Sequence, residues 1–254
     1  MRENLQDILR QSGSAIMNYF GSAEFTLKDD ASPVTKADRA SHALLTSSLK
    51  RLKNIPVLSE ENILEYGVRK NWYEFWLIDP LDGTKEFING DKDFCISVAL
   101  INQNSPIVGA IYAPALDEFF YAERAKIFSY EGPRRNVFHQ NSYNTKVAVS
   151  RFHHSEKTKK FLSDHKLNSL ESIGSALKFC RLAMGEIDLY PRFEGSKEWD
   201  IAAGHLILKE SGGSIIDLKT KTEPVYNKPL LENNFFISSR KGIAVERFLE
   251  DSHI

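Results

Sequence analysis

The densest chemistry in this chain lies in Asp79-Pro80-Leu81-Asp82-Gly83-Thr84-Lys85, directly after the apolar run Phe75 to Ile78. An apolar run that ends in paired acids and turn residues reads as a buried strand delivering carboxylates to its rim. Pro80 fixes its own φ and pushes Asp79 toward extended geometry, while Gly83 permits a sharp turn. Asp79 and Asp82 then face one point, with the Leu81 carbonyl free between them. Two carboxylates and a carbonyl suit a hard cation such as Mg2+. The plain alternative is a strand followed by a polar turn.

Acids recur at the ends of other apolar segments, at Asp38, Glu60, Glu61 and Asp200. Each has a structural explanation. Asp38 with Thr35 reads as a capping pair at a helix start. Adjacent glutamates are commonly solvated, and Trp199-Asp200 suits a helix N-terminus, where an acid favours the macrodipole. The remaining residue types narrow the chemistry. Cys95 and Cys180 sit in apolar company and read as reduced core residues, and the chain has no C-x-x-C or H-E-x-x-H spacing, which argues against zinc. A net charge of -1 gives no global field for a nucleic-acid polymer or a membrane, so an anionic ligand must be read by a local cluster. The N-terminus lacks the apolar core of a signal peptide, and no run approaches the ~20 apolar residues of a membrane span. A cytoplasmic protein is expected, with peripheral inner-membrane contact left open.

The elements that must place these acids are legible. Residues 3–20 carry a helical stripe (Leu5, Ile8, Leu9, Ile16, Phe20), and residues 28–33 form a polar turn region. A second stripe follows Thr35 (Ala40, Leu44, Leu45, Leu49), and Pro56 to Glu61 is a short strand ending in acids. Strands are expected at 73–78, 94–101, 107–112, 118–122 and 126–130, with a hairpin turn at 102–106 and antiparallel pairing throughout. From about Thr145 strands and helices alternate. Strands fall at 147–149, near Ser172, at 187–190, 214–218 and 234–238; helices at 155–162, 175–185, 198–211 and 243–249. Gly212-Gly213 marks the end of the third of these helices. A composition shift at 131–145 divides the chain into an α+β part, 1–140, and an α/β part, 141–254.

Leu58-Ser59-Glu60-Glu61, Trp76 to Thr84 and Glu198-Trp199-Asp200-Ile201-Ala202-Ala203-Gly204, in that order, resemble the inositol monophosphatase superfamily along essentially the whole chain. Ser32 to Asp38, Asp82 to Phe87, Gly174 to Cys180 and Asp188 to Phe193 are similar to its bacterial 3'(2'),5'-bisphosphate nucleotidase branch. The resemblance implies a five-layer α-β-α-β-α sandwich of mixed α/β class. It also implies a Mg2+-dependent, lithium-sensitive phosphomonoesterase that removes the 3'-phosphate of adenosine 3',5'-bisphosphate, a by-product of sulfur metabolism. Glu60, Asp79, the Leu81 carbonyl, Asp82 and Asp200 would bind two or three Mg2+ ions; Glu60, Leu81, Asp82 and Asp200 would also meet the substrate, with Gly83 and Thr84 donating to its phosphate. Thr84 paired with Asp38 would orient the attacking water together with Glu60. Two ions can activate water on one side and stabilise the leaving oxygen on the other, and close acids repel unless a cation sits between them. No covalent serine or cysteine nucleophile is needed.

For the second phosphate the candidates are Lys178 and Arg192, with Ser175 and His153 nearby by resemblance; Arg192 offers a bidentate fork. The alternatives are a solvated helix face for Lys178 and a surface ion pair for Arg192. Lys85 suits either phosphate or a salt bridge, and Tyr190 and Phe193 read as core. Rival readings are an inositol monophosphatase or broader sugar-phosphate phosphatase, and a silent metal or nucleotide sensor. The chain would act on a small phosphorylated nucleotide as a monomer or homodimer.

Overall fold

Leu5, Leu9 and Ile16 recur at helical spacing and form the buried stripe of helix α1, Arg2–Met17. The computed structural model describes residues 1–21, 25–27, 33–126, 128–134, 144–151 and 155–249. The polar turn region expected at 28–33 therefore lies largely outside the described residues. Strands β1 (Phe25–Leu27) and β2 (Pro33–Thr35) pair antiparallel on either side of it. Helix α2, Lys36–Leu52, starts at a complete capping box: Ala37 N–H and Asp38 N–H donate to the Thr35 hydroxyl, and Thr35 N–H donates to Asp38 at 2.7 Å.

The first large sheet runs β3 (Val57–Ser59), β4 (Glu74–Asp82), β5 (Cys95–Asn102), β6 (Ser105–Ala113), β7 (Glu118–Glu123) and β8 (Ser129–Glu131), in that spatial order. Every neighbouring pair is antiparallel except β3 with β4, which is parallel. Short helices α3 (Tyr66–Arg69) and α4 (Thr84–Ile88) interrupt the connections around β4; neither was visible in the apolar pattern. The apolar run of β4 is continuous because both of its faces are buried. Trp76 and Ile78 pack toward α1 and α2, whereas Phe75 and Leu77 pack on the opposite face. Burying each such side chain contributes roughly 1.5–3 kcal/mol.

The second sheet has the order β10-β9-β11-β13-β12. Its strands are β9 (Lys146–Val149), β10 (Ser169–Ser172), β11 (Leu189–Arg192), β12 (Ser214–Asp217) and β13 (Phe236–Ser239). Helix α5 (Glu156–Asp164) covers its outer face through Phe161. Helices α6 (Leu177–Met184) and α7 (Glu198–Glu210) fill the space between the two sheets. The layers are thus α1/α2, first sheet, α6/α7, second sheet, and α5 with a final 3-10 turn. This is the five-layer sandwich expected.

Three local expectations are corrected. The strand at 73–78 runs on through Pro80 to Asp82. The helix expected at 175–185 begins at Leu177, because Ser175 takes a left-handed φ of 49°. The terminal helix of 243–249 is a single 3-10 turn, Val245–Phe248, whose Val245 and Phe248 cap the outer core. Elsewhere α7 ends where Gly212 adopts a φ of 90°, as its glycine pair predicted.

Helix α7 is apolar on nearly every side, as a helix between two sheets must be. It approaches the first sheet so closely that a Cβ on Gly109 of β6 would sit 2.7 Å from the Ala203 carbonyl. Gly109→Ala is therefore expected to destabilise the fold by about 1–3 kcal/mol in chemical denaturation. An unchanged midpoint would show that α7 can back away without loss.

Candidate active site

The Asp79–Asp82 segment is a bulge rather than a strand end. Asp79 lies opposite Ser97 and Asp82 opposite Cys95, so Pro80 and Leu81 occupy the space of one residue on β5. Pro80 has no N–H to give the ladder, which makes this the natural place for the register to slip. The Pro80 carbonyl accepts the Ser41 hydroxyl of α2 at 2.6 Å, and Ser41 in turn lies 2.8 Å from the buried Ser12 hydroxyl of α1. Because Ser41 donates to Pro80, Ser12 must donate to Ser41. The Leu81 N–H donates to Asp79 Oδ1 at 3.0 Å, fixing the side chain of an aspartate that is 2 % exposed.

Gly83 takes a φ of 91°, and a Cβ there would lie 3.2 Å from the Asp93 carbonyl and from Phe94 Cα. Glycine is thus required both for the turn and for the close approach. The turn leads into α4, anchored from below by Phe87, which meets Phe94 edge-on with ring centroids 5.1 Å apart. Thr84 Oγ1 then faces two acceptors, the Leu81 carbonyl at 3.1 Å and Asp38 Oδ1 at 3.3 Å. Asp38 is both a helix cap, through Oδ2, and the partner of Thr84, through Oδ1.

A cavity of about 260 Å³ opens above this bulge. Glu60, Asp79, Leu81, Asp82, Gly83 and Thr84 line it from the first half of the chain. Ser175, Lys178, Arg192 and Asp200 line it from the second. The structure so brings these ten together with Lys85 and Tyr190, and places Asp38 behind Thr84. His153 lies outside the described residues.

The carboxylates crowd one another. Burial pushes the Asp79 carboxyl well above the usual range, and Glu60, Asp82 and Asp200 push it further. Asp82 rises to about 8, from burial and then Asp200, against the opposing pull of Lys178. Asp200 rises to about 6, from burial and then Glu60, although the Lys197 N–H donates to it. Asp38 rises to about 6 through burial, offset by Thr35. Buried like charges raise one another in this way when no cation separates them.

The donor set is all oxygen, which suits a hard cation. Asp79, Asp82 and Asp200 each spend one oxygen on a backbone N–H, of Leu81, Ala176 and Lys197 respectively, and these bonds aim the carboxylates. With the side chains as they stand, no three His, Cys, Asp or Glu side chains among the described residues meet tightly enough to hold an ion. The fit therefore rests on donor chemistry and on the shared cavity.

Lys178 is buried and Arg192 largely so. Lys178 is 4 % exposed; its ammonium donates to the Ile173 and Ser175 carbonyls at 2.9 and 3.0 Å and lies 5.3 Å from the Tyr190 ring centroid. Burial lowers its pKa to about 8, with Arg192 adding to the shift. Arg192 donates to Ser150 at 2.7 Å and to the Gly195 carbonyl at 2.9 Å, and its buried Nε has no hydrogen-bond partner. Tyr190 is both core and cavity wall, while Phe193 is core only.

Arg151 and Glu86, which sequence reasoning passed over, also line the cavity. Arg151 pairs with Asp93 at 2.5 Å across the two halves. Its position just beyond a predicted strand was the available signal, since α/β sheets collect ligands at their carboxyl ends. Glu86 stands inside the motif but had no feature to separate it from a solvated helix residue. The two cysteines are free and buried, as expected.

Comparison with known proteins gives the family and the fold. The model of the inositol monophosphatase family matches residues 1–253. A 3'(2'),5'-bisphosphate nucleotidase CysQ from Salmonella typhimurium is 40% identical over 227 residues, which is 87% of this chain and 92% of that protein. The crystal structure of CysQ from Bacteroides thetaiotaomicron superposes with a TM-score of 0.82 at 31% identity, covering 95% of this chain and 98% of that one. An IMPase of Thermotoga maritima superposes with a TM-score of 0.81 at 26% identity, covering 96% and 93%. Three motifs in register on one cavity, a five-layer sandwich and a match along the whole chain lead to one assignment: this protein belongs to the inositol monophosphatase family.

Proposed function

We propose that the protein is a Mg2+-dependent 3'(2'),5'-bisphosphate nucleotidase that releases the 3'-phosphate of adenosine 3',5'-bisphosphate. The observation that carries this reading is the two-signed cavity, with Glu60, Asp79, Asp82 and Asp200 sharing it with Lys178 and Arg192. A substrate with two phosphates places one at the acids through bound cations and the other at the guanidinium and ammonium groups. Relatives named for this activity support the choice over a monophosphatase.

In this reading Glu60, Asp79, the Leu81 carbonyl, Asp82 and Asp200 hold two or three Mg2+ ions. The ions supply charge neutralisation and lower the pKa of water in the site. The chain's own residues do the rest. Asp38 accepts the Thr84 proton, which turns the Thr84 oxygen's lone pairs toward the water and holds it for in-line attack. Glu60 lines the same cavity and helps to orient that water. Backbone N–H groups of Gly83 and Thr84 orient the phosphate, and Lys178 and Arg192, with Ser175, hold the second one. The protein acts on a small molecule, in the cytoplasm. No helix among the described residues is long and apolar enough to cross a membrane.

The direct test is phosphate release with Mg2+ from adenosine 3',5'-bisphosphate, inositol 1-phosphate and fructose 1,6-bisphosphate, each with and without lithium. Preference for either of the latter two would overturn the nucleotidase reading. Thr84→Val should lower turnover at least ~10²-fold while Thr84→Ser keeps most of it, since only the hydroxyl can be oriented by Asp38. Equal loss in both variants would remove the water-orienting role. Lys178→Ala and Arg192→Ala should each raise KM for the bisphosphate more than for monophosphates; matched losses would show that neither group reads the second phosphate.

Asp82→Asn should cost at least ~10²-fold in turnover. Its folded-state pKa, about 8, lies above the unfolded 3.8, so the folded chain holds that proton more tightly. Its contribution to stability is therefore present at low pH and is lost as pH rises through that interval. In chelator, Asp82→Asn should unfold a few degrees above the parent at the upper end of the interval, with the gap closing toward lower pH; saturating Mg2+ should raise the parent alone by about 5–10 °C. Parent and variant with identical midpoints throughout would show that Asp82 carries no such repulsion.

A further inference from the structure

We propose that Arg69, Asn227 and Glu198 form a clasp that positions Asp200 against the acids of the first sheet. The inference rests on the metal-holding reading of the cavity and assigns these residues no contact with substrate or ion.

Asp200 is the one acid of the proposed set that comes from the second half of the chain, and it rides in the first turn of α7. Whatever fixes that turn fixes the distance between Asp200 and Glu60, Asp79 and Asp82. Glu198 begins the same turn and is fully buried. Its position two residues before Asp200 invites a ligand role, but both of its oxygens are committed elsewhere. The Asn227 N–H donates to Oε2 at 2.6 Å, the Lys228 N–H to Oε1 at 2.9 Å, and the Lys228 ammonium lies 2.8 Å from Oε1.

The loop that Glu198 grips is gripped from its other side by Arg69, at the end of α3 and nine residues after Glu60. Arg69 is 2 % exposed. Nη1 donates to the Asn227 side chain at 2.8 Å and to the Lys228 carbonyl at 2.7 Å; Nη2 donates to the Pro229 carbonyl at 2.9 Å. Nε donates to the Leu64 carbonyl at 3.1 Å, which pins the guanidinium to its own segment. Asn227 returns a bond from its amide to the Arg69 carbonyl at 2.8 Å and holds a left-handed φ of 66°. The connection therefore runs from the segment after Glu60, through Arg69 and Asn227, to Glu198 and the start of α7. The Arg69–Asn227 and Asn227–Glu198 bonds are buried and the contacts at both ends are forked, so the connection resists both translation and rotation of that start. Lysine cannot reproduce the fork.

The test compares Mg2+ binding by calorimetry and the Mg2+ dependence of phosphate release in four proteins: the parent, Arg69→Lys, Asn227→Ala, and Leu9→Ala. The last is a destabilised control whose change lies in α1, away from the clasp. The clasp variants should bind Mg2+ and be activated by it about 10-fold more weakly, as loss of groups that orient ligands does elsewhere. Leu9→Ala should lose stability but keep the parent's Mg2+ response. If the clasp variants respond to Mg2+ as Leu9→Ala does, the clasp is structural only and the proposal falls. A parent that shows no Mg2+ response overturns the metal reading itself, and the proposal with it. Should Arg69→Lys not fold, Asn227→Ala decides, because it removes one side chain and leaves the guanidinium on the backbone carbonyls.

Discussion

Burial of like charges is the constraint on which this structure turns. Glu60, Asp79, Asp82 and Asp200 line one small cavity, where burial and the neighbouring carboxylates raise the proton affinity of the three aspartates. Such an arrangement disfavours the folded state unless each carboxylate is held in place by something that outweighs the repulsion. The fold supplies a separate backbone N–H for each of the three aspartates, from the bulge itself, from the start of α6 and from the residue before α7. These donors belong to three elements in two halves of the chain. Keeping them in register takes both sheets and the helix layer between them.

Two aspartates show how helix capping and site chemistry share a side chain. A carboxylate has two oxygens and can point them in different directions. Asp38 closes a capping box with one and meets Thr84 with the other. Asp200 accepts the Lys197 N–H with one and still lines the cavity. In the sequence, capping and chemistry looked like rival explanations for each residue. The geometry makes them complementary, since the cap immobilises the group that the site needs.

What was legible in the sequence were features that depend on neighbours in the chain. The stripes of α1 and α2, the apolar β4, the capping pair Thr35 and Asp38, and the glycines that stop α7 all follow from local periodicity and turn chemistry. The bulge at Pro80 was not legible, because a register slip is a relation between two strands. Lys178 read equally as a solvated helix residue. Its burial depends on the second sheet closing over it, and the carbonyls of Ile173 and Ser175 that receive its ammonium precede the helix. Arg151 carried no motif, and its partner Asp93 lies 58 positions away. The short helix α4 was hidden by the motif's turn residues, and the final 3-10 turn imitates a helix because Val245 and Phe248 share the spacing of both.

The placement of α7 bears on the order in which the molecule can be made. Phe75, Leu77, Ala99 and Ile111 of the first sheet share one core with Ile201, Ala202, Leu206 and Ile207 of that helix. A growing chain that has not yet emitted α7 therefore presents the inner face of a finished sheet to water, and it lacks Asp200. Covering that face and completing the acid set both wait on the same helix. Until about residue 210 has emerged, such a chain has an uncovered apolar sheet face and an incomplete acid set.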